Sequence, residues 1–202
     1  MKKLIVFNIL VGVFCFMWTT PALAISIGID PGSQTVGVGN SLSVNVVISG
    51  LEAGGLDEIV SAFDLDVTYD STILFASGVT FGAYLGDPSL FEALTDFDLS
   101  TAGVIDLAEL SLLDDATLAA LQPDTFTLVT LYFDAIGYGT SPLGFVFDDF
   151  NDVKGLNAQV LSLDINSGRV DVAGVAVPEP GTILLLSAGI GGLVALRKKF
   201  IV

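Results

Sequence analysis

The strongest constraint on the fold of this 202-residue chain is a period-two alternation of apolar and polar residues through its middle. Residues 42–49 alternate in this way, and residues 63–69 repeat the pattern with aspartate and threonine on the polar face. Successive side chains of a β-strand point to opposite faces, so each segment predicts a strand with one face in a core and the other in solvent.

The remaining elements are predicted from shorter patterns. Residues 126–135 are apolar on both faces, which is typical of a strand covered on both sides, and are expected at the centre of a sheet. Asp115–Leu121 predicts a short helix, with Asp114 as its N-cap and Pro123 after its end. Further short strands are predicted at 25–29, 73–80, 104–110, 143–147, 159–165 and 168–173. Many short strands and one short helix favour an all-β, antiparallel β-sandwich.

The N-terminal segment predicts export. Lys2 and Lys3 precede an apolar stretch, and small residues at Ala22 and Ala24 define a cleavage site after Ala24. Residues 1–24 are therefore predicted to form a signal helix that signal peptidase removes. An N-terminal membrane helix that stays in place is the alternative.

The C-terminal segment, residues 177–202, predicts a membrane-embedded tail. The motif Val177-Pro178-Glu179-Pro180 precedes residues 181–196, which carry no charge, and Arg197-Lys198-Lys199 follows. A helix of that length spans about 24 Å, somewhat less than a hydrocarbon core of roughly 30 Å. The three basic residues extend its reach to the headgroups and hold that end in the cytoplasm. A single transmembrane helix is predicted, with residues 25–176 outside the inner membrane as one domain.

The order of short motif, apolar span and basic end resembles the PEP-CTERM tail of Gram-negative bacteria. The resemblance implies that a membrane transpeptidase-like exosortase recognises Pro178-Glu179-Pro180 and releases or transfers the protein. A permanent C-terminal anchor is the alternative that apolarity alone would favour.

Composition excludes several kinds of chemistry from the domain. The chain has no histidine, and its one cysteine, Cys15, lies in the predicted signal peptide. A Ser-His-Asp triad, a Cys-His pair and an imidazole zinc site are therefore excluded, as are disulfides. Carboxylates could still hydrolyse a glycosidic bond, and Glu58 and Glu109 are the least arbitrary candidates. Because most charged residues simply face solvent, no catalytic residue is predicted.

The domain is strongly acidic. It contains twenty-two carboxylates but only two basic residues, Lys154 and Arg169, so its net charge is −20. A charge of this sign repels nucleic acid and excludes it as a partner. Such a surface serves solubility or attracts cations. Residues 96–106 begin like a calcium loop, but the glycine stands at the eighth position and the closing acid comes late, so a hairpin is favoured. No metal ion or other cofactor is predicted, although weak calcium binding elsewhere stays open.

The succession of strands resembles that of cohesin-type domains. Residues 39–46, 62–75 and 126–133 carry this resemblance, which extends over roughly 26–172. It implies a jelly-roll sandwich related in fold to certain carbohydrate-binding modules. Cohesins of cellulose-degrading assemblies bind dockerin modules, but nothing in this sequence identifies such a partner.

Sugar binding would require exposed aromatic rings. The one tryptophan, Trp18, lies in the signal peptide, and Tyr69 and Tyr132 fall in predicted strands, which leaves Tyr84 and Tyr138 as possible ligand contacts. The sequence as a whole favours a non-catalytic surface or biofilm-matrix protein that associates with exopolysaccharide or another surface protein. A weak carbohydrate-binding module, a calcium-binding adhesin and a glycoside hydrolase are the alternatives.

Overall fold

The computed structural model describes residues 24–51, 58–146, 152–174 and 186–190. Its β-strands are, in chain order, β1 (Ser26–Asp30), β2 (Ser33–Gly37), β3 (Ser41–Ser49), β4 (Ala62–Thr68), β5 (Leu74–Phe81), β6 (Ala93–Asp98), β7 (Val104–Ser111), β8 (Thr125–Ala135), β9 (Gly139–Val146), β10 (Asp152–Lys154), β11 (Asp164–Asn166) and β12 (Gly168–Ala173). The helix α1 (Asp115–Leu121) and two 3-10 turns, Pro88–Leu90 and Leu156–Ala158, lie between the strands, and residues 186–190 are also helical.

The strands form two sheets. The first sheet has the order β11-β1-β3-β8-β5, and the second has the order β2-β12-β9-β4-β7-β6. In the second sheet β10 pairs with the first half of β4, while β9 pairs with its second half. Most neighbours are antiparallel, but β1 and β11 are parallel, as are β2 and β12. The predicted antiparallel sandwich is therefore confirmed in class and corrected at these two pairs.

The core lies between the two sheets, as the alternation predicts. Along β3 and β4 every second side chain is buried, and inward-facing residues of the other strands of both sheets join them in one continuous apolar cluster. Aromatic rings also meet across the gap, since the Phe63 and Phe81 centroids lie 6.2 Å apart and those of Tyr69 and Phe133 lie 5.3 Å apart. Burial of each large side chain contributes about 1.5–3 kcal/mol to folding.

Strand β8 corrects the prediction made for residues 126–135. The strand does lie inside its sheet, between β3 and β5, but its outer face is open to solvent. The register between β3 and β8 shifts between Val46 and Val47, so β8 accommodates an extra residue there. This bulge reverses the alternation, and apolar residues on both sides of it face the core. Tyr132 consequently points outward.

Helix α1 confirms its prediction at both ends. The Asp114 side chain accepts a hydrogen bond of 2.8 Å from the Thr117 backbone N–H, which satisfies one of the unpaired donors of the first turn. The helix ends at Leu121, and Gln122 follows with extended backbone angles.

The sequence patterns do not predict three of the observed strands, and they place one predicted strand wrongly. β2 and β10 are short, and β6 is an edge strand in which five of six residues are exposed, so its pattern does not alternate. The strand predicted at 159–165 is wrong for most of its length. The chain there makes isolated hydrogen bonds, such as Leu161 N–H to Val153 C=O, and joins a ladder only at Asp164–Asn166.

Candidate functional site

The outer face of the second sheet carries the candidate site. Strands β10, β4, β7 and β6 lie side by side there, and their registers place outward-facing residues in three rows across the sheet. The first row is Leu94, Leu110, Ala62 and Lys154. The second is Asp96, Ala108, Asp64 and Asp152. The third is Asp98, Asp106, Asp66 and, on β9, Val146. The face therefore grades from apolar to acidic.

The first two rows enclose a concave depression of about 350 Å³, which we call the trough. Ala62 and Ala108 are small and lie at its middle, while larger side chains stand at both ends. The trough is lined by Ala62, Phe63, Asp64, Leu94, Thr95, Asp96, Ala108, Glu109, Leu110, Asp152 and Lys154. Leu94 is 56% exposed and Leu110 is 48% exposed, so two neighbouring leucines face solvent at one end.

Charge at the opposite end is partly compensated. Lys154 Nζ lies 2.7 Å from Asp152 Oδ2, and both side chains project from β10. In the third row, burial, together with the like charges of Asp66 and Asp98, raises the pKa of the Asp106 carboxyl. This face is therefore a source of negative potential.

The loop between β6 and β7 confirms the hairpin interpretation of residues 96–106. The Asp98 carboxylate accepts hydrogen bonds from the backbone N–H and the hydroxyl of Ser100, at 2.7 and 2.8 Å, and these bonds lower its pKa. Gly103 adopts φ +89°, a left-handed conformation that closes the turn. Within the described residues, no group of three or more carboxylates has the spacing of a metal site.

Glu109 lies on the core-facing side of β7, between Phe63 on β4 and Thr95 on β6 in the strand register. It is 2% exposed, and neither of its carboxyl oxygens has a hydrogen-bond partner among the residues that the structure describes. Burial raises the pKa of Glu109 to about 8, so the side chain is mainly protonated at neutral pH. Glu58, the other candidate for catalysis, is half-buried beside Ile59. Because Glu109 is almost fully buried, its carboxyl is not within reach of a sugar bond in this structure, as a catalytic acid or base must be.

The two tyrosines predicted as ligand contacts occupy different environments. Tyr84 is half-buried, and its ring packs against Phe126 with centroids 5.0 Å apart. Tyr138 is 81% exposed in the turn between β8 and β9. The structure does not bring these two rings into contact. Tyr132, which the sequence assigns only to a strand, is 41% exposed on the outer face of the first sheet.

Most of the predicted processing residues lie outside the described residues. These are Ala22, Val177, Pro178, Glu179, Pro180, Arg197, Lys198 and Lys199. Ala24 is exposed at the start of the first described segment, two residues before β1, and residues 186–190 of the predicted transmembrane segment are helical. Among the residues that the structure describes, no helix has the length and apolarity needed to cross a membrane.

The sandwich is similar to cohesin modules of known structure. The sixth cohesin of scaffoldin B from Acetivibrio cellulolyticus, solved with a mutant dockerin, gives a TM-score of 0.58 at 17% identity over 74% of this chain and 99% of that one. A cohesin of Clostridium acetobutylicum gives 0.58 at 21% identity, over 76% and 92%. The cohesin module of a Clostridium perfringens family 33 glycoside hydrolase gives 0.55 at 15%, over 77% and 99%. The fold is that of a cohesin-like β-sandwich.

The C-terminal region carries a recognised sorting signal. Residues 176–199 match the PEP-CTERM protein-sorting motif, as the resemblance of the tail implies. No curated protein sequence gives a significant match to the chain. The chain therefore carries a PEP-CTERM protein-sorting motif, which implies export and exosortase sorting, and a cohesin-like sandwich ahead of it.

The trough is the part of the candidate site that the sequence does not reveal. Leu94 and Leu110 lie in segments where apolar residues occur on both faces, so no alternation distinguishes them from core residues. The one usable signal is the polar face of β4, where Asp64 and Asp66 are correctly predicted to point outward.

Proposed function

We propose that the protein is a non-catalytic component of the cell surface or extracellular matrix, whose sandwich binds a protein partner in the trough. The observation that carries this proposal is the pair of exposed leucines beside rows of carboxylates on a concave floor. Apolar side chains at the middle of an interface supply binding energy, and surrounding charges supply orientation and rate of association.

The chemistry of the trough defines the partner. A net charge of −20 on residues 25–176 favours a partner with basic residues, and the leucines favour apolar side chains among them. The Acetivibrio cellulolyticus cohesin that this sandwich resembles was solved with a dockerin. We therefore propose a dockerin-like module with a basic and apolar face as the partner.

The segments before and after the sandwich suggest how it reaches the cell surface. Signal peptidase cuts after Ala24, and residues 181–196 with Arg197, Lys198 and Lys199 hold the exported chain in the membrane as a helix. Exosortase then acts at Val177-Pro178-Glu179-Pro180 and places residues 25–176 at the surface. The match of residues 176–199 to the sorting motif supports this order of events.

The test begins by finding the partner on cells. A photocrosslinking amino acid at position 94 of the full chain is expected to capture an exported protein with a dockerin-like module, whereas the same label at the exposed Leu121 of helix α1 is not. The affinity of the captured partner is then measured. Leu94→Ser with Leu110→Ser should weaken binding by at least about tenfold, since each buried leucine contributes about 1.5–3 kcal/mol.

The matched control is Leu121→Ser, which removes a leucine of similar exposure outside the trough and should leave binding unchanged. Binding to the wild type should also weaken as the salt concentration rises, because salt screens the carboxylate rows. Equal affinity of the double variant and the wild type would contradict the trough as the binding surface.

A further inference from the structure

The outer face of the first sheet differs in chemistry from the trough face. Its outward-facing side chains on β3, β5 and β8 are mainly hydroxyls and amides, and the registers align them in rows across the sheet. They include Ser41, Ser43, Asn45, Thr80, Thr127 and Thr130. Asp134 is the one carboxylate that these three strands place on this face. The part of this face formed by β3, β5 and β8, which we call the neutral face, therefore carries little charge, whereas β1 and β11 add Asp30 and Asp164 beside it.

Two aromatic rings project from this neutral face. Phe75 on β5 is 57% exposed and Tyr132 on β8 is 41% exposed. Phe75 lies opposite Asp134, two residues from Tyr132, so the two aromatic residues are diagonal neighbours with Cα atoms about 7–8 Å apart. A soluble protein gains no folding energy from leaving two such rings in water, and aromatic side chains with a polar edge suit amphipathic ligands.

The space beside Tyr132 is left open by a glycine. Gly78 lies opposite Tyr132 in the register, and a Cβ atom built on Gly78 would lie 3.8 Å from the Tyr132 ring. A residue with a side chain would therefore cover one flank of the ring. On the other flank Tyr132 lies opposite the small residue Ser43.

Hydrogen-bonding groups surround the rings. Ser41 Oγ donates to Asp134 Oδ1 at 2.6 Å, and Thr130 Oγ1 donates to Asn45 Oδ1 at 2.8 Å. These pairs fix the side chains while leaving further donors and acceptors, including the amide N–H groups of Asn45. An array of fixed polar groups around apolar rings matches a ligand that presents C–H surfaces on its faces and hydroxyls at its edges.

We propose that this face is a second binding site, distinct from the trough, for a neutral polysaccharide of flat, extended chains. Sugar rings stack on Phe75 and Tyr132 through their C–H faces, and their hydroxyls bond to the serine, threonine and asparagine side chains. A neutral chain meets no charge repulsion from a domain of net charge −20, whereas a polyanion does. The trough and this face lie on opposite sheets, so the protein can hold a protein and a glycan at once.

Cellulose, a flat and neutral β-1,4-glucan, is the probe, and the full chain is purified in a mild detergent. The wild type should be retained on microcrystalline cellulose and not on calcium-free alginate coupled to agarose beads. Phe75→Ala with Tyr132→Ala should reduce the affinity for cellulose by at least about tenfold. Gly78→Val should also reduce it, because the added side chain covers the flank of the Tyr132 ring.

The matched control is Tyr138→Ala, which removes a tyrosine that is more exposed but lies outside the face. It should bind cellulose like the wild type, as should Leu94→Ser with Leu110→Ser, so the two sites can be tested separately. Circular dichroism and thermal unfolding verify that every variant is folded.

Three results would overturn the proposal. They are failure of the wild type to bind cellulose, retention of full affinity in the folded Phe75/Tyr132 double variant, and equal binding of the wild type to alginate. Loss of a protein partner in the double variant, without any cellulose binding by the wild type, would make the face a protein interface instead.

Discussion

At the scale of single residues, Glu109 is unusual because its ionisable side chain is buried on the core-facing side of a strand. A carboxyl on the core-facing side of β7 that has no hydrogen-bond partner in the described part of the chain can be ionised only at a cost in desolvation. Burial therefore raises its pKa from an ordinary value of 4.5 to about 8. Its position between Phe63 and Thr95 was not encoded in any local pattern, because the sequence indicates a carboxylate but not its surroundings.

This shift predicts that the free energy of unfolding falls as the pH rises from 4.5 to about 8. The folded state holds the Glu109 proton more tightly than the unfolded state, so the contribution is complete below pH 4.5 and is lost as the pH rises through 8. Between pH 6 and 8.5 the free energy of unfolding should fall by about 2 kcal/mol. Urea unfolding at the two pH values measures the change.

Glu109→Gln is the matched variant, because it keeps the shape of the side chain and removes the titration. Its free energy of unfolding should be nearly constant over the same pH interval, where exposed aspartates are already ionised. A decline of equal size in the variant and the wild type would assign the pH dependence to other groups.

At the scale of the elements, Gln122 joins helix α1 to the sandwich. Its side chain is 5% exposed and exchanges two hydrogen bonds with the Val60 backbone, accepting from the N–H at 2.9 Å and donating to the C=O at 2.7 Å. It also donates to the Tyr84 backbone carbonyl at 3.1 Å. One side chain thus satisfies buried backbone groups of two separate loops.

Gln122→Ala is therefore expected to lower the free energy of unfolding by about 2–4 kcal/mol, since it leaves buried backbone groups without partners. Gln159→Ala, at an exposed glutamine, is the control and should change stability by less than about 0.5 kcal/mol. Urea unfolding compares the two variants. A similar effect of both substitutions would contradict the role given to Gln122.

Elements with a clear pattern were predictable, and those without one were not. β3 and β4 alternate along their length, and α1 has both an N-cap and a terminating proline, so their bounds follow closely from the sequence. β6 is an edge strand exposed on both faces, and β8 contains a bulge that changes which face is apolar. No local pattern encodes these features, because both depend on the neighbouring strands.

The candidate sites depend even more on the strand order. The trough brings Leu94 and Leu110 beside Ala62 and Lys154, which is possible only once β10, β4, β7 and β6 are adjacent. The neutral face likewise needs the bulge that turns Tyr132 outward. Sequence reasoning could propose exposed tyrosines, but it could not tell a strand tyrosine on the surface from one in the core.

At the scale of the whole molecule, the sorting signal can be tested apart from the sandwich. Replacing Pro178, Glu179 and Pro180 by alanine removes the sequence that exosortase is proposed to read and leaves the apolar span and basic end intact. The variant should remain in the membrane fraction with its C-terminus uncut. Intact-mass measurement of the protein from membranes and from culture fluid detects the difference.

Thr182→Ala, two residues beyond the motif, is the control and should be processed like the wild type. The triple variant must also keep the thermal stability of the sandwich, whose described strands end at Ala173. Normal processing and release of the triple variant would contradict recognition at Pro178-Glu179-Pro180.

The two parallel strand pairs tie the beginning of the sandwich to its end. β1 is paired with β11 at Ser26 and Asp164, and β2 is paired with β12 at Ser33 and Arg169. Contacts between such distant parts of a chain form late and slowly. In export with the N-terminus first, which the N-terminal segment predicts, the first strands would emerge from the membrane long before their partners. The sandwich can therefore close only when almost the whole domain has crossed. Until then the chain stays unfolded and can still pass through the membrane.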